Sequence, residues 1–138
     1  MGDVRRIGAL AVASSIALIG CHPGERLGTC APVQGATRVV IHVAQDGNAQ
    51  RTDRIVTDPE QIRQLIVFAN ARRDVFQPQL YTMPAPRITA TFYENAEFLG
   101  SIGEGLNFLS MSCPQWHGIR KASESEVSQF KRLVGDVE

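Results

Sequence analysis

Neither sign of charge is in surplus in this chain of 138 residues: 14 Lys and Arg side chains face 14 Asp and Glu. Neutralising a phosphate backbone takes a clustered basic excess, so the balance excludes a strongly basic nucleic-acid binder. The basic residues are nearly all Arg and are scattered, which reads as composition and not as phosphate recognition. Histidine is scarce as well, and His22, His42 and His117 show no ligand spacing, so no metal site is expected. Long hydrophobic runs are also missing. The uncharged stretch from Ile7 to Gly20 is too short to span a membrane, covering roughly 21 Å as a helix against a hydrocarbon core of about 30 Å. No internal repeat is present, and the length allows one domain.

What the first twenty residues do hold is an ordered pattern: Arg5 and Arg6, then an Ala, Ile, Leu and Val-rich core, then small residues. That is the layout of an export signal. Its end, Leu18-Ile19-Gly20-Cys21, resembles the lipobox of bacterial lipoproteins, with Ile19 where Ala or Ser is commoner and Asp3 an acid in the basic region. The resemblance implies cleavage before Cys21, a diacylglyceryl group on its thiol and an acylated new amino terminus. Multiple acyl chains make a durable anchor, since each buried methylene contributes about 0.8 kcal/mol and one chain alone is marginal. His22 stands where Asp would hold an enterobacterial lipoprotein back, which implies the outer membrane as destination. Gly2 does not make a myristoylation signal, because Arg6 occupies the Ser/Thr position.

Removing residues 1–20 leaves a chain with a net charge near −1 and enough length for one small core. Residues 21–36 are rich in Gly and Pro without periodicity and read as a flexible tether. The folded domain is expected over 37–138. Thr37 to Ala44 alternates and is β-branched, Asp46-Gly47 is a turn signal, and Gln50 to Thr57 can return as a second strand. Asp58, Pro59 and Gln61 form the start of a helix running to about Arg72, with Ile62, Leu65, Ile66 and Ala69 inward and a capping box at its start. Arg72 and Arg73 at its end suit the helix dipole.

Residues 74–86 contain three prolines and several large apolar side chains, and read as a loop folded over an open end of the core. Arg87 to Tyr93 alternates as a half-buried antiparallel strand. Glu94 to Glu97 turns the chain, Phe98 to Ile102 pairs back, and Leu106 to Met111 can form a third strand. Ser123 and Glu126 make a second capping box, before a helix carrying Val127, Phe130, Leu133 and Val134 inward and ending at Gly135. The order ββαββ(β)α predicts an α+β fold, an antiparallel sheet of four to five strands with two amphipathic helices packed on one face. In outline this resembles the small two-layer domains of several bacterial lipoproteins, and that outline carries no function.

Lipidation of Cys21 would leave Cys30 and Cys113, a possible pair in an oxidising compartment. Closing a loop of roughly 80 residues would stabilise the domain by about 4 to 4.5 kcal/mol on the chain-entropy model. Cys113-Pro114-Gln115-Trp116-His117-Gly118 is the densest run of chemically capable side chains. A nucleophilic Cys needs a spatially close base, no family signature surrounds this one, and a disulfide would consume the thiol, so it reads as a turn with Trp116 on the core edge and His117 exposed. Gly100 to Gly105 lacks the G-x-G-x-x-G register, and Ser101 is not framed as G-x-S-x-G, so no cofactor is expected. Its glycines suit a bulge or tight turn. Glu94, Glu97 and Glu104 lie near turns and read as solvated acids.

No catalytic set emerges. The expectation is a non-catalytic, lipid-anchored binding module facing the periplasm, with Phe76, Tyr81, Met83 and Trp116 as its contacts and an envelope protein as partner. The alternative is an envelope inhibitor of a hydrolase such as lysozyme, and a small enzyme ranks below both.

Overall fold

The computed structural model describes residues 30–44, 51–73, 76–78 and 84–135, with backbone only at 51, 52 and 78. The export segment, Cys21, the Asp46-Gly47 turn, Tyr81 and Met83 lie outside the described residues.

The fold is α+β, an open antiparallel sheet with two helices. Six strands have six to eight residues each: β1 (Arg38–Ala44), β2 (Arg51–Val56), β4 (Ile88–Glu94), β5 (Glu97–Glu104), β6 (Phe108–Cys113) and β7 (Trp116–Lys121). A two-residue strand, β3 (Gln77–Pro78), pairs with β7 at one edge. The helices are α1 (Pro59–Asn70) and α2 (Glu124–Val134). Four to five strands is thus too few. The sequence marks neither β7, whose start reads as a turn, nor the two-residue β3, which lies in a segment that reads as a loop. The inward positions of β7 are Trp116, Gly118 and Arg120, opposite Cys113, Met111 and Leu109 of β6, and no apolar alternation marks them.

Sheet order is β2-β1-β4-β5-β6-β7-β3. β1 pairs with β2 from Val39 opposite Val56 to Ala44 opposite Arg51, and on its other side with β4, Ile41 opposite Ala90. The short β4–β5 connection places Asn95 at φ 54°, a left-handed conformation that Asn tolerates. After the Glu94–Glu97 and Tyr93–Phe98 pairs the register shifts, leaving Leu99 as the extra residue of a bulge opposite Phe92 and Tyr93.

One face of the sheet makes the core. Val39, Ile41, Ala90, Phe92, Ile102, Leu109 and Met111 are buried there with Ile62, Leu65, Phe68 and Ala69 of α1 and Phe130 and Val134 of α2. Both helices thus bury their apolar sides against the same sheet face, with the Phe68 and Phe130 rings 5.5 Å apart. The helices run antiparallel to each other. Gln61 near the start of α1 donates from Nε2 to the Leu133 carbonyl near the end of α2, at 2.9 Å, while Arg72 just past α1 donates to Glu126 in the first turn of α2.

The caps form with one difference. Asp58 accepts from the Gln61 amide at 2.8 Å, but the Gln61 side chain is spent on Leu133, so the box at α1 is half made. At α2 it is complete: Ser123 Oγ accepts from the Glu126 amide and Glu126 Oε2 from the Ser123 amide.

Cys30 and Cys113 lie at disulfide distance, 2.17 Å between sulfurs, at a sequence separation of 83. Within the expected tether, the described residues 30–36 are held against the domain. Cys30 is buried, and the Asn70 side chain at the end of α1 accepts from the Val33 amide at 2.8 Å and donates to its carbonyl at 3.0 Å. A buried backbone segment needs such partners, and Asn offers one acceptor and one donor in a single group.

Candidate functional site

Three groupings of chemically capable side chains are built by this fold. The first lies where β7, α1 and α2 meet. Arg120 points inward from β7 because its register partner, Leu109, faces the core. There it donates to Glu126 Oε1, as does Arg72 Nε at 3.2 Å, and Arg72 also reaches the Phe68 carbonyl and Gln129. Arg72 lies over the Phe68 ring at 3.8 Å and Arg120 over the Phe76 ring at 5.6 Å. Partial burial pushes the Glu126 carboxyl up, but the Ser123 amide and the two guanidinium groups outweigh it and hold the group down at about 2. Every acceptor is used, which makes this a structural clamp joining three elements.

The second is Glu104, the last residue of β5. Its place beside glycines predicts a solvated acid, but it is 1% exposed and shares the core face with Ile88 and Leu109, its register partners. The glycines on either side suggested a turn, yet the strand continues through Gly103 and turns only after it. Neither carboxyl oxygen has a hydrogen-bond partner among the described residues. Lys131 Nζ of α2 stands 3.8 Å from Oε1. Burial pushes the carboxyl up, against the opposing pull of Lys131 and Arg87.

The third is on the opposite face, where His42 of β1 and Asp53 of β2 are cross-strand partners and Nδ1 lies 2.6 Å from Oδ1. A carboxylate on Nδ1 orients an imidazole, which is half of a hydrolytic set. The next position along that row is Thr89 of β4, and no hydroxyl or thiol among the described residues is hydrogen-bonded to His42. Cys113 and His117, adjacent in sequence, end on different faces: Cys113 is opposite Trp116, while His117 is exposed beside Ser112 on the other side. No group of three or more His, Cys, Asp or Glu side chains among the described residues could hold a metal ion.

The expected contact residues divide. Phe76 is buried, 6% exposed beneath Arg120, and offers no surface, because the chain must bring an apolar group under that guanidinium to seal the core edge. Trp116 is half-buried against the core, its ring lying where a Cβ on Gly118 would be 2.2 Å away, and its Nε1 has no partner among the described residues. The 74–86 and 113–118 segments do meet in their described parts, Gln77 pairing with Ile119 and Pro78 with Gly118. Further along, Pro86 rests on Gly103, whose missing side chain leaves room for it. The large apolar side chains that stand exposed were not foreseen as contacts: Ile55 at 60%, Val67 at 56% and Leu106 at 74%. Leu106, expected at the start of a third strand, sits in the β5–β6 turn. No helix among the described residues is long and apolar enough to cross a membrane.

No protein-family model, curated protein or solved structure matches the chain.

Proposed function

We propose that this protein is a lipid-anchored lipoprotein of the cell envelope, facing the periplasm and bound for the outer membrane, whose domain binds an envelope partner without catalysing a reaction. The distribution of cysteines carries the reading. The structure pairs Cys30 with Cys113, and the one cysteine remaining in the sequence, Cys21, ends an apolar segment in lipobox register. A buried disulfide fits an exported protein, since thiols in reducing compartments stay reduced. For the domain, both carboxylate oxygens of Glu126 are taken up by Arg120, Arg72 and the Ser123 amide, and no hydroxyl or thiol among the described residues is hydrogen-bonded to His42, which supports binding over catalysis.

Metabolic labelling with an alkyne fatty acid tests the anchor: wild-type protein is expected to take label and sediment with membranes, and Cys21→Ala to do neither. Crosslinking in those membranes tests the binding. A captured envelope protein whose yield falls in Tyr81→Ala or Trp116→Ala, with the fold intact by circular dichroism, is the expected result. Unlabelled wild-type protein sinks the anchor, and unchanged capture in both variants sinks the contact residues.

A further inference from the structure

We propose that a cleft on the outward face of the sheet, at the corner where β3, β6 and β7 meet, binds a small amphiphilic anion: an alkyl chain carrying a carboxylate or phosphate head. This goes beyond the partner contact proposed above and does not rest on it, because Trp116 is an inward position at the other end of β7.

The cleft follows from register. Along β7, Arg120 faces the core, so Ile119 and Lys121 on either side of it face outward, opposite Ser110 and Phe108 of β6. β3 is only two residues long and sets Gln77 opposite Ile119 and Pro78 opposite Gly118. Among the described residues no strand therefore stands beside Lys121 on its outer side. The space lined by Gln77, Phe108, Ile119, Arg120 and Lys121 has a volume of about 530 Å³, which is the size of a small-ligand site. At roughly 30 Å³ for each water-sized group, it holds a ligand of up to about eighteen heavy atoms.

The lining sets the chemical class. Phe108 and Ile119 are half-buried and offer an apolar floor, and no acid lines the cleft. Arg120 is bonded to Glu126 and to the Lys121 carbonyl, so its charge is already compensated. The Lys121 side chain is exposed and makes no ion pair among the described residues. Gln77 adds a neutral amide donor from the β3 side. One available ammonium beside an apolar floor matches one anionic head on an apolar body. Leu106, 74% exposed in the turn that leads into Phe108, supplies further apolar surface at this end of the sheet.

The full chain as the cell makes it, held in phosphatidylcholine bilayer discs, is read by hydrogen exchange at the amides of Phe108 and of Ile119 to Lys121. Octyl phosphate and octanoate, each at twice its Kd, are expected to slow exchange there by about three-fold. Octyl glucoside and inorganic phosphate, which carry the tail or the head alone, are expected to leave it unchanged at the same concentrations. Lys121→Glu is expected to lose the effect, and Arg132→Glu, the same change of charge at an exposed position of α2, to keep it. Exchanging part of the disc lipid for phosphatidylglycerol separates the two sources of such a ligand: slowing without added amphiphile identifies a membrane headgroup, and slowing only on addition identifies a free amphiphile. Equal slowing by octyl glucoside overturns the anionic class. Slowing retained in Lys121→Glu overturns the role of Lys121, and unchanged exchange with every ligand overturns the site.

Discussion

Arg120 of β7 and Glu126 of α2 are joined by an ion pair in which the carboxylate is the same group that completes the cap of α2. One side chain thereby ties the last strand, the last helix and, through Arg72, the end of α1.

Replacing Glu126 by Gln removes the charge from all three contacts. The expected loss is about 2 to 3 kcal/mol at neutral pH, the scale of charged hydrogen bonds combined with a weakened cap. The carboxyl is depressed to about 2 in the folded protein, so the stability it confers is present above the ordinary carboxylate range and is lost as pH falls toward 2. Urea melts of wild type and Glu126→Gln at a series of pH values are expected to converge at the acid end. A constant gap down to pH 2 would show that the charge is not what stabilises.

Glu104 has the opposite sign. Burial raises its folded value, so the folded state binds the proton more tightly than the unfolded chain, and stability is lost as pH rises through that raised value. Glu104→Gln cannot ionise and leaves Lys131, 46% exposed at its side chain, free to be solvated. The variant is expected to gain about 1 kcal/mol or more over wild type at pH 8 and to gain nothing at pH 4. Thermal melts at the two pH values decide it; a variant less stable at pH 8 would mean that the Lys131 pair outweighs the burial cost.

Gly118 is held free of a side chain by two neighbours. A Cβ there would come within 2.2 Å of the Trp116 ring and 2.5 Å of the Gln77 carbonyl oxygen. Gly118→Ala is expected to cost about 1 to 3 kcal/mol by overpacking and to shift tryptophan emission to the red as the ring is displaced toward water. Unchanged emission with unchanged stability would show that this edge yields freely.

Much of the fold is legible locally. The alternation in Val39 to Val43 and in Ile88 to Tyr93, the apolar spacing from Ile62 to Ala69, and the cap residues Asp58 and Ser123 each specify an element through contacts a few residues away. β7 was not legible, because its inward residues are a tryptophan that covers its own strand's glycine and an arginine whose partner is on α2. Burial of Glu104 was hidden for a related reason: flanking glycines suggest a turn, and only pairing with Ile88 and Leu109 turns the residue inward. Phe76 looked like a contact for the same want of a neighbour in view, since the Arg120 that covers it comes from the far end of the chain.

By itself the sequence determined the α+β class, the two helices with their starts, the β1–β2 hairpin and the possibility that Cys30 meets Cys113, since periodicity, capping and cysteine number are local or countable properties. The tertiary structure alone decided that β1 lies between β2 and β4, that Arg120 and Glu104 face the core, and that Cys30 is buried and paired within the domain, ahead of the expected start at Thr37. Those outcomes rest on pairings between distant residues, whose free energy exists only once the chain has brought both partners together.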